Sequence, residues 1–510
     1  MFTINHRISL FCLLGLIFFS ACGSTTSPQT PPADFPEGPA DLVLYNGLVY
    51  TVNPEQPWAE AVAIEAGKII YVGSSELAQQ LIGEATVSKD LDGRLVLPGF
   101  HDVHLHPMEG GSGDFEWCFL SVGVEPTIWH DTLQRCVQAQ NSHHWVIGWG
   151  HSIEDLAYSD VLPVDILDDA IPDRPAIIME ANSHSMWVNS AALEAVGFDR
   201  ETADPIGGFI GKDENGNLNG ILYENAGEIA FEFAVQQSKA SFDDEAHYYG
   251  LLYSLEMVAQ NGITSMVDAR AYSSRNYPAV YQQVADDGRL TARTVLSLWA
   301  YPERDDESQF AELAALYSDD PESLLRMSQV KLYSDGLLQN TTAALFDPYL
   351  IDLGLTDDNR GMNYFNEARI AKWITELETL GFDFHIHAIG ARGVHESLNG
   401  IEMAREANGD LGNRHRLTHV ELVHDADVVR FAELNVIADM QMAGDWVLPI
   451  YHADAEYLIG DRAYGQGPIR TLYDAGAHIT LSSDWDVSSM NPFVGIEHSF
   501  RRGDESLPDR

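Results

Sequence analysis

Apolar positions change their spacing along the chain, and the second half alternates between two patterns. Between residues 251 and 259, leucine, valine and alanine recur at helical spacing, and Asn261-Gly262 ends that stripe. The run 263–268 that follows is short, apolar and rich in β-branched residues, which predicts a buried strand. Six more runs of this kind come later in the chain, over residues 294–298, 330–333, 382–389, 416–422, 436–440 and 479–484. With the run 95–106 they predict eight strand–helix units, and therefore an α/β fold of the TIM-type (β/α)8 barrel class.

Two regions do not follow this alternation. Residues 41–97 carry short strand patterns joined by turns, and Asn46-Gly47 between two apolar runs predicts a β-hairpin. We interpret 41–97 as a small β-sandwich-like domain that precedes the barrel of residues 98–510. Residues 108–241 break the pattern after the first barrel strand, and we interpret them as an inserted region that caps the barrel. Four tryptophans of this region either shape a substrate pocket or pack in its interior: Trp117, Trp145, Trp149 and Trp187.

The first residues have the pattern of an export signal. A basic start precedes an apolar run over residues 8–19, which is too short to span a bilayer. The run leads to a Phe-Ser-Ala-Cys sequence that resembles a bacterial lipobox, which predicts a lipoprotein signal peptide over residues 1–22 and lipidation at Cys22. A plain secretory signal is the alternative. Residues 23–40 are rich in Ser, Thr and Pro and predict a disordered tether, so we expect a protein displayed on the outer membrane or cell surface by its lipid anchor alone.

Composition narrows the possible partners. The formal net charge is −48 at pH 7, with 77 acidic against 29 basic residues. Such a chain repels phosphates, which argues against a nucleic-acid partner and leaves a small-molecule substrate as the expected one. Of the four cysteines, Cys118 and Cys136 remain after export and lipidation. In an oxidising compartment they either pair or stay as buried free thiols. The oligomeric state is left open.

Polar residues stand at the ends of several predicted barrel strands. His104 and His106 are two residues apart, and alternate residues of a strand share a face, so both imidazoles are placed to chelate a divalent cation. An exposed histidine pair is the alternative. Lys331 lies in an apolar run, where a buried ammonium is costly unless its charge is removed or paired. Three later strands carry one such residue each: His387, His419 and Asp484. Barrel active sites lie at the C-terminal ends of the strands, which predicts one shared site.

This order of motifs resembles the amidohydrolase superfamily and, within it, the YtcJ-like metal-dependent hydrolases, a branch that includes N-substituted formamide deformylases. The resemblance extends over about residues 41–501. It rests on seven motifs, at residues 97–106, 184–193, 261–265, 330–336, 387–390, 419–422 and 482–484. The resemblance implies a metal-dependent hydrolase that cleaves a carbon–nitrogen bond of the amide type, other than a peptide bond.

The resemblance also implies a role for each residue of the site. Two divalent metal ions would be held by two sets of side chains, the first by His104, His106 and Asp484 and the second by His387 and His419. Lys331 would be carboxylated by carbon dioxide and would bridge the ions, which removes the cost of burying its positive charge. Asp484 would also act as the general base. Zinc suits ligands rich in nitrogen, and manganese or iron would be compatible.

Several alternatives stay open. His385 lies on the same strand face as His387 and is the alternative ligand. His184 and Arg392 are candidates for substrate binding. The same attack by hydroxide would cleave an ester or a lactone. A truncated lipoprotein that binds metal or solute without catalysis is an alternative of another class.

The chain departs from the family pattern at a few positions. Asn182-Ser183 replaces an Asp-Gly pair, Gln339-Asn340 stands where Gly-Ser is common, and Ala391 replaces an Asp before Arg392. These changes spare the expected ligands but put the substrate preference in question. Family members also continue past the position of Arg510 with strands that complete the small β domain, so we expect a truncated chain or an incomplete domain.

Overall fold

The structure, a computed structural model, describes residues 35–113, 118–124, 126–157, 159–238, 244–351, 353, 355, 358–444 and 452–501. The expected signal peptide, the lipidation site Cys22 and Trp117 lie outside the described residues. The chain divides into two units, one up to Pro98 and the other from Gly99 onward. Among the described residues, no helix combines the length and the apolar character that crossing a membrane requires.

The first unit contains two small sheets. Its strands are β1 (Leu42–Tyr45), β2 (Leu48–Tyr50), β3 (Trp58–Ala59), β4 (Ala61–Glu65), β5 (Lys68–Gly73), β6 (Val87–Asp90) and β7 (Leu95–Val96), and helix α1 (Ser75–Ala78) follows β5. One sheet has the order β5-β4-β1-β6 and the other β3-β2-β7. The predicted hairpin at Asn46-Gly47 is wrong, because β1 pairs with β4 and β6 whereas β2 pairs with β3 and β7. Asn46 turns with a φ of 57°, and this turn takes the chain from one sheet to the other.

The second unit opens with β8 (Phe100–Leu105) and α2 (Pro107–Gly113), and the chain then builds a separate mixed sheet. The strands of this inserted sheet are β9 (Cys118–Phe119), β10 (Val146–His151), β11 (Ala176–Glu180), β12 (Ser185–Val188), β13 (Gly208–Lys212) and β14 (Leu218–Glu224), in the order β13-β14-β12-β11-β10-β9. Its helices are α3 (His130–Ala139), α4 (Ile153–Ala157), α5 (Pro163–Ala170), α6 (Ser190–Val196) and α7 (Asn225–Gln237). A disulfide joins Cys118 to Cys136, which decides between the two alternatives left by the sequence.

The described tryptophans of the inserted region take packing positions. Trp145 and Trp187 are fully buried in two apolar clusters of this region. The Trp187 indole donates a hydrogen bond to the carbonyl of Pro163 at 2.7 Å. Trp149 packs against Phe119, with 5.2 Å between ring centroids. These side chains therefore stabilise the inserted region and do not line the cavity described below.

After α8 (Asp244–Gln260) the chain completes the barrel. The remaining barrel strands are β15 (Ile263–Ala271), β16 (Arg293–Trp299), β17 (Leu325–Tyr333), β18 (Asp383–Ala388), β19 (Arg416–His419), β20 (Ile437–Met440) and β21 (His478–Leu481). The remaining helices are α9 (Tyr277–Asp286), α10 (Asp306–Leu316), α11 (Glu367–Leu377), α12 (Ala391–Asn408), α13 (Arg430–Glu433), α14 (His452–Ile459), α15 (Ile469–Asp474) and α16 (Pro492–Arg501). With β8, these strands form an eight-stranded parallel sheet in chain order, which confirms the predicted barrel.

Strand β18 shows how the barrel positions polar groups. In a barrel, helices cover the outer face of each parallel strand and the barrel interior covers the inner face, so both faces are buried. Successive side chains of the strand point alternately to the two faces. Phe384, Ile386 and Ala388 belong to the large apolar core. His385 and His387 therefore point to the opposite face, which is the interior of the barrel, and both are fully buried.

Candidate active site

The polar residues predicted at the strand ends meet at a cavity of about 290 Å³. Four of them line it, namely His104, His106, His419 and Asp484, and the turn between β11 and β12 of the inserted sheet contributes Ala181, Asn182 and His184. Strand β19 ends at His419, and Asp484 follows the end of β21 by three residues. The cavity therefore lies at the C-terminal ends of the barrel strands, where barrel enzymes place their active sites.

Asp484 brings three of the histidines together. Its Oδ1 lies 3.0 Å from His106 Nε2 and 3.3 Å from His104 Nε2, and its Oδ2 lies 3.9 Å from His419 Nδ1. The backbone of Asp484 has a φ of 56° and that of His419 a φ of 74°. Non-glycine residues adopt this left-handed conformation at a cost, and such strain concentrates at functional sites. The backbone N–H of Asp484 donates to the carbonyl of His104 at 2.8 Å, which ties the two strand ends together.

His387 lies beside this group. Its ring centroid is 4.4 Å from that of His419. Its Nε2 is 3.2 Å from the carbonyl oxygen of Gly336, to which it can only donate. Its Nδ1 is buried and has no hydrogen-bond partner among the described residues, as is also true of Nδ1 of His106. A buried lone pair without a partner is a free ligand position.

Lys331 is completely buried on β17. Its Nζ makes no hydrogen bond within the described parts of the chain and lies 5.3 Å from the centroid of the Tyr333 ring. Burial lowers the pKa of the Lys331 amine well below its usual value, against the opposing attraction of Asp484. Burial therefore favours the neutral form of this amine.

His385 takes a position behind His104. Its Nε2 is 3.0 Å from His104 Nδ1, and its own Nδ1 is 3.2 Å from Ser297 Oγ. His104, His385 and Asp439 are close enough to hold an ion, as are His104, His419 and Asp484. The carboxylate of Asp439 already accepts hydrogen bonds from four side chains, those of Thr418, Gln441, Thr480 and Ser482. This inner group therefore orients His104 from the side opposite Asp484, as partners of metal-binding histidines do.

The electrostatics of the cluster favour ligand atoms with free lone pairs. Burial lowers the pKa of His104 and His387 well below the usual value, and it lowers the pKa of His419 to about 3. For Asp484, burial raises the pKa, but the hydrogen bond with His106 and the proximity of the basic groups of His419, His106 and Lys331 lower it below its ordinary value. Neutral imidazoles around one ionised carboxylate are the donor set of a divalent metal site, so the residues fit such an ion.

His184, predicted to bind substrate, lines the cavity, and its Nδ1 lies 2.7 Å from Glu224 Oε2. Arg392, the second candidate, is not among the lining residues. Its guanidinium donates to the carbonyl of Leu345 at 3.1 Å and pairs with Glu396 at 3.2 Å. The structure therefore gives Arg392 partners on the protein and separates it from this cavity.

Three charged residues of the site were missed by the sequence reasoning. Arg270 lines the cavity and donates to Glu109 Oε2 at 3.0 Å. Glu421 also lines it, and burial raises the pKa of Glu421 to about 7. The strand period could have revealed both, because each stands two residues after a strand-end Asp or His, Asp268 and His419. Glu224 lies in the inserted sheet and had no such signal.

An α/β barrel with this donor set at its strand ends is the arrangement of a hydrolase that uses a divalent metal. The profile of the amidohydrolase family matches residues 89–507. The chain belongs to the amidohydrolase family and is a metal-dependent hydrolase.

Relatives of known sequence match along most of their length. The protein LONG AFTER FAR-RED 3 of Arabidopsis thaliana is 27% identical over 496 residues, which cover 94% of this chain and 80% of that protein. The YtcJ protein of Bacillus subtilis is 28% identical over 470 residues, covering 90% and 83%. The N-substituted formamide deformylase of Arthrobacter pascens is 23% identical over 480 residues, covering 89% and 82%.

A solved structure shows the same fold. The crystal structure of an uncharacterized metal-dependent hydrolase from Pyrococcus horikoshii OT3 superposes with a TM-score of 0.68 at 22% identity. The match covers 91% of this chain and 86% of that one. The architecture of the barrel with its additional sheets is therefore common to both proteins.

Proposed function

We propose that the chain hydrolyses a carbon–nitrogen bond of the amide type, other than a peptide bond. The observation that carries this proposal is the convergence of two neutral imidazole nitrogens, His104 Nε2 and His106 Nε2, on one oxygen of Asp484 at 3.3 and 3.0 Å. Similarity to the formamide deformylase of Arthrobacter pascens favours an amide over other carbonyl substrates.

The donor set divides into two groups. His104, His106 and Asp484 would hold one ion, and His387 and His419 would hold a second. Zinc suits this nitrogen-rich set, and manganese or iron would be compatible. When bound, such cations supply Lewis acidity, which makes water acidic enough to give hydroxide near neutral pH and polarises the substrate carbonyl.

Asp484 carries the proton through the reaction. Its carboxylate accepts a proton from the attacking water and returns it to the leaving nitrogen, so that a carbon–oxygen bond forms and the carbon–nitrogen bond breaks. The products are a carboxylic acid and an amine.

Lys331 would carry a carboxylate formed from carbon dioxide. Its amine, once neutral, would attack carbon dioxide: a nitrogen–carbon bond forms, one carbon–oxygen π bond opens onto oxygen, and the proton lost from nitrogen passes to solvent water. The product is an anionic side chain with two acceptor oxygens, which suits a position between two cations. The pKa of Lys331, which burial lowers well below its usual value, and the unpartnered Nζ support this modification.

The test compares Asp484→Asn with the wild type. We expect about two equivalents of metal per wild-type chain by elemental mass spectrometry, and a loss of amide turnover of about 100-fold or more in the variant. Asp474→Asn is the matched control, because Asp474 is exposed and pairs with Arg470 at 2.7 Å. A folded wild type without metal, or full turnover in Asp484→Asn, contradicts the proposal. Cleavage of esters or lactones but not of amides would identify the alternative hydrolase, and metal binding without turnover of any of them a non-catalytic binder.

We also propose that the protein is exported and anchored through a lipid on Cys22, on the basis of the lipobox-like sequence. Labelling with radioactive palmitate should mark the wild type and spare Cys22→Ser. Equal labelling of both, or labelling of neither, contradicts the anchor.

A further inference from the structure

One histidine of the cavity is held by a buried carboxylate that the proposed mechanism does not use. His184 Nδ1 lies 2.7 Å from Glu224 Oε2. The same carboxylate accepts a hydrogen bond from the hydroxyl of Tyr364 at 2.8 Å and another from the hydroxyl of Thr342 at 2.5 Å. Because Thr342 donates to one oxygen of Glu224 and Tyr364 to the other, both oxygens act as acceptors, and we take His184 Nδ1 as the donor in the third contact. His184 therefore carries its proton on Nδ1.

The other nitrogen of His184 is left for the substrate. In a neutral imidazole with its proton on Nδ1, Nε2 is a hydrogen-bond acceptor. His184 Nε2 makes no hydrogen bond with any residue in the described ranges, and the ring lines the cavity. The cavity thus offers an oriented acceptor in addition to its candidate metal ligands.

The surrounding structure fixes this orientation. Glu224 is 2% exposed and has a φ of 54° and a ψ of −129°, a conformation that costs a non-glycine residue energy. A Cβ on Gly336 would lie 2.2 Å from Glu224 Oε1, so only glycine leaves room for the carboxylate. The carbonyl of Gly336 also lies 3.2 Å from His387 Nε2. The same residue therefore positions Glu224 and a candidate ligand.

The acceptor lies close to where the substrate carbonyl would be polarised. The His184 ring is 5.2 Å from the His387 ring and is stacked 5.4 Å from the Tyr333 ring, centroid to centroid. A group one bond away from a carbonyl at the metal site is therefore within reach of His184. In an amide, that group is the scissile nitrogen.

We propose that His184 Nε2 accepts a hydrogen bond from the N–H of the scissile amide, that Glu224 positions His184 for this contact, and that the substrates are secondary amides, R–CO–NH–R′. This inference rests on the proposed function and narrows its substrate class. A tertiary amide or an ester brings no N–H and leaves the acceptor unpaired. Sites built to hydrogen-bond a substrate N–H reject analogues that lack it.

The first test measures selectivity. The probes are 4-nitroacetanilide and its N-methyl derivative, and the readout is the ratio of their kcat/KM values. In His184→Asn the shorter amide still donates to Glu224 but places no acceptor at the Nε2 position. We expect the ratio of kcat/KM for the secondary amide to that for the N-methyl amide to fall about tenfold or more, mainly because kcat/KM falls for the secondary amide. Comparing each ratio with the wild type removes the effect of the methyl group on substrate shape.

The chain offers a matched control for a buried pair. His415 Nε2 lies 3.0 Å from Glu378 Oε2, both side chains are buried, and neither lines the cavity. His415→Asn makes in this pair the same histidine-to-asparagine change as His184→Asn makes in the other. We expect it to change stability and to leave the selectivity ratio at the wild-type value.

The second test reads the tautomer directly in the metal-free protein. Nitrogen-15 NMR of labelled histidines, with the His184 signals assigned by their loss in His184→Asn, should show a protonated Nδ1 and a bare Nε2. In Glu224→Met the proton should move toward Nε2, whereas Glu378→Met should leave the His184 signals unchanged. If Glu224→Met does not fold, the tautomer of His184 in the wild type and the selectivity ratio of His184→Asn still test the proposed role of His184.

The outcomes separate the two levels of inference. A protonated Nε2 in the wild type, or an unchanged ratio in His184→Asn, overturns the role of His184 while amide hydrolysis stands. A metal-loaded wild type that cleaves neither probe nor 4-nitrophenyl acetate overturns the proposed function and with it the role of His184.

Discussion

Replacing Lys331 by methionine should stabilise the metal-free protein and should reduce the number of metal ions that the loaded protein binds. Methionine has nearly the same length as lysine and no polar terminus. Lys331 is 0% exposed, and its Nζ has no hydrogen-bond partner among the described residues. Burying an unpaired polar group costs about 1–3 kcal/mol, and Lys331→Met avoids that cost. We therefore expect the free energy of unfolding of the metal-free protein to rise by about 1–3 kcal/mol.

The assay is urea unfolding of chelator-treated protein in buffer free of carbon dioxide, followed by the same measurement with zinc and bicarbonate. With both added, the order should reverse. A ligand at 100 times its dissociation constant stabilises the folded state by about 2.7 kcal/mol, and only the wild type retains the full set of ligands. Metal content should fall from about two equivalents to one or fewer in Lys331→Met.

Lys372→Met is the control for a lysine-to-methionine change. Lys372 is 43% exposed and pairs with Asp306 at 3.2 Å and Glu307 at 3.1 Å. Exposed pairs contribute about 0–1 kcal/mol, so this variant should change stability by no more than that and should keep its metal. The reasoning would be refuted if the metal-free Lys331→Met protein were less stable than the metal-free wild type by more than about 1 kcal/mol. Lys331 would then stabilise the folded state even without a metal ion. Unchanged metal content would refute its place as a ligand.

Three further predictions test other parts of the structure. Gly336→Ala should lower the free energy of unfolding by about 1–3 kcal/mol in thermal melts, because its Cβ would lie 2.2 Å from Glu224 Oε1, and an unchanged melting temperature would contradict that crowding. Replacing Cys118 and Cys136 by serine should cost about 3 kcal/mol in urea unfolding, since the disulfide closes a loop with a sequence separation of 18, and equal stability with and without it would contradict this. Burial raises the pKa of Asp268 to about 7, so the stabilising contribution of the protonated carboxyl is complete below pH 4 and is lost as the pH rises through 7. Asp268→Asn should therefore reduce the fall in the free energy of unfolding between pH 4 and 7. A plot of that free energy against pH that runs parallel to the wild-type plot would argue against the shift.

The barrel was predictable because its strands are buried on both faces. The run 294–298 within β16 is such a strand, whereas β18 alternates apolar side chains that face the helices with histidines that face the barrel interior. The period of two residues also placed His104 and His106 together, and the structure brings their Nε2 atoms to the same carboxylate oxygen. Local periodicity was sufficient for both inferences.

The parts that were not predictable depend on contacts between distant residues. Glu224 accepts hydrogen bonds from Thr342 and Tyr364, which are 118 and 140 positions away in sequence. The hairpin expected at Asn46-Gly47 failed for a related reason. The turn sequence was read correctly, but β1 and β2 find partners elsewhere in the first unit. Turn chemistry fixes a change of direction, whereas strand pairing depends on the remainder of the unit.

The two halves of the site differ in where their residues come from. The candidate metal ligands stand on the barrel strands or directly after them, so the barrel alone can position them. Other residues at or behind the cavity wall come from the inserted region and the segment after β17. There Asn182 Nδ2 donates to Asn340 Oδ1 at 3.0 Å, and Asn340 Nδ2 donates to Glu180 Oε2 at 2.7 Å.

Asn182 and Asn340 are two of the positions at which the sequence analysis expects a departure from the family pattern. They are far apart in sequence, yet Asn182, which lines the cavity, contacts the buried Asn340 behind it. Replacing an Asp at position 182 by Asn supplies the amide donor that Oδ1 of Asn340 accepts, so each departure provides the partner that the other requires. Neither residue contacts a candidate metal ligand through these hydrogen bonds. Because the barrel keeps its ligands while this pair reshapes the wall, a change of substrate is possible without a change of chemistry. We therefore expect substitutions at Asn182 and Asn340 to change the relative kcat/KM values of different amides, and Asp484→Asn to lower the turnover of all of them.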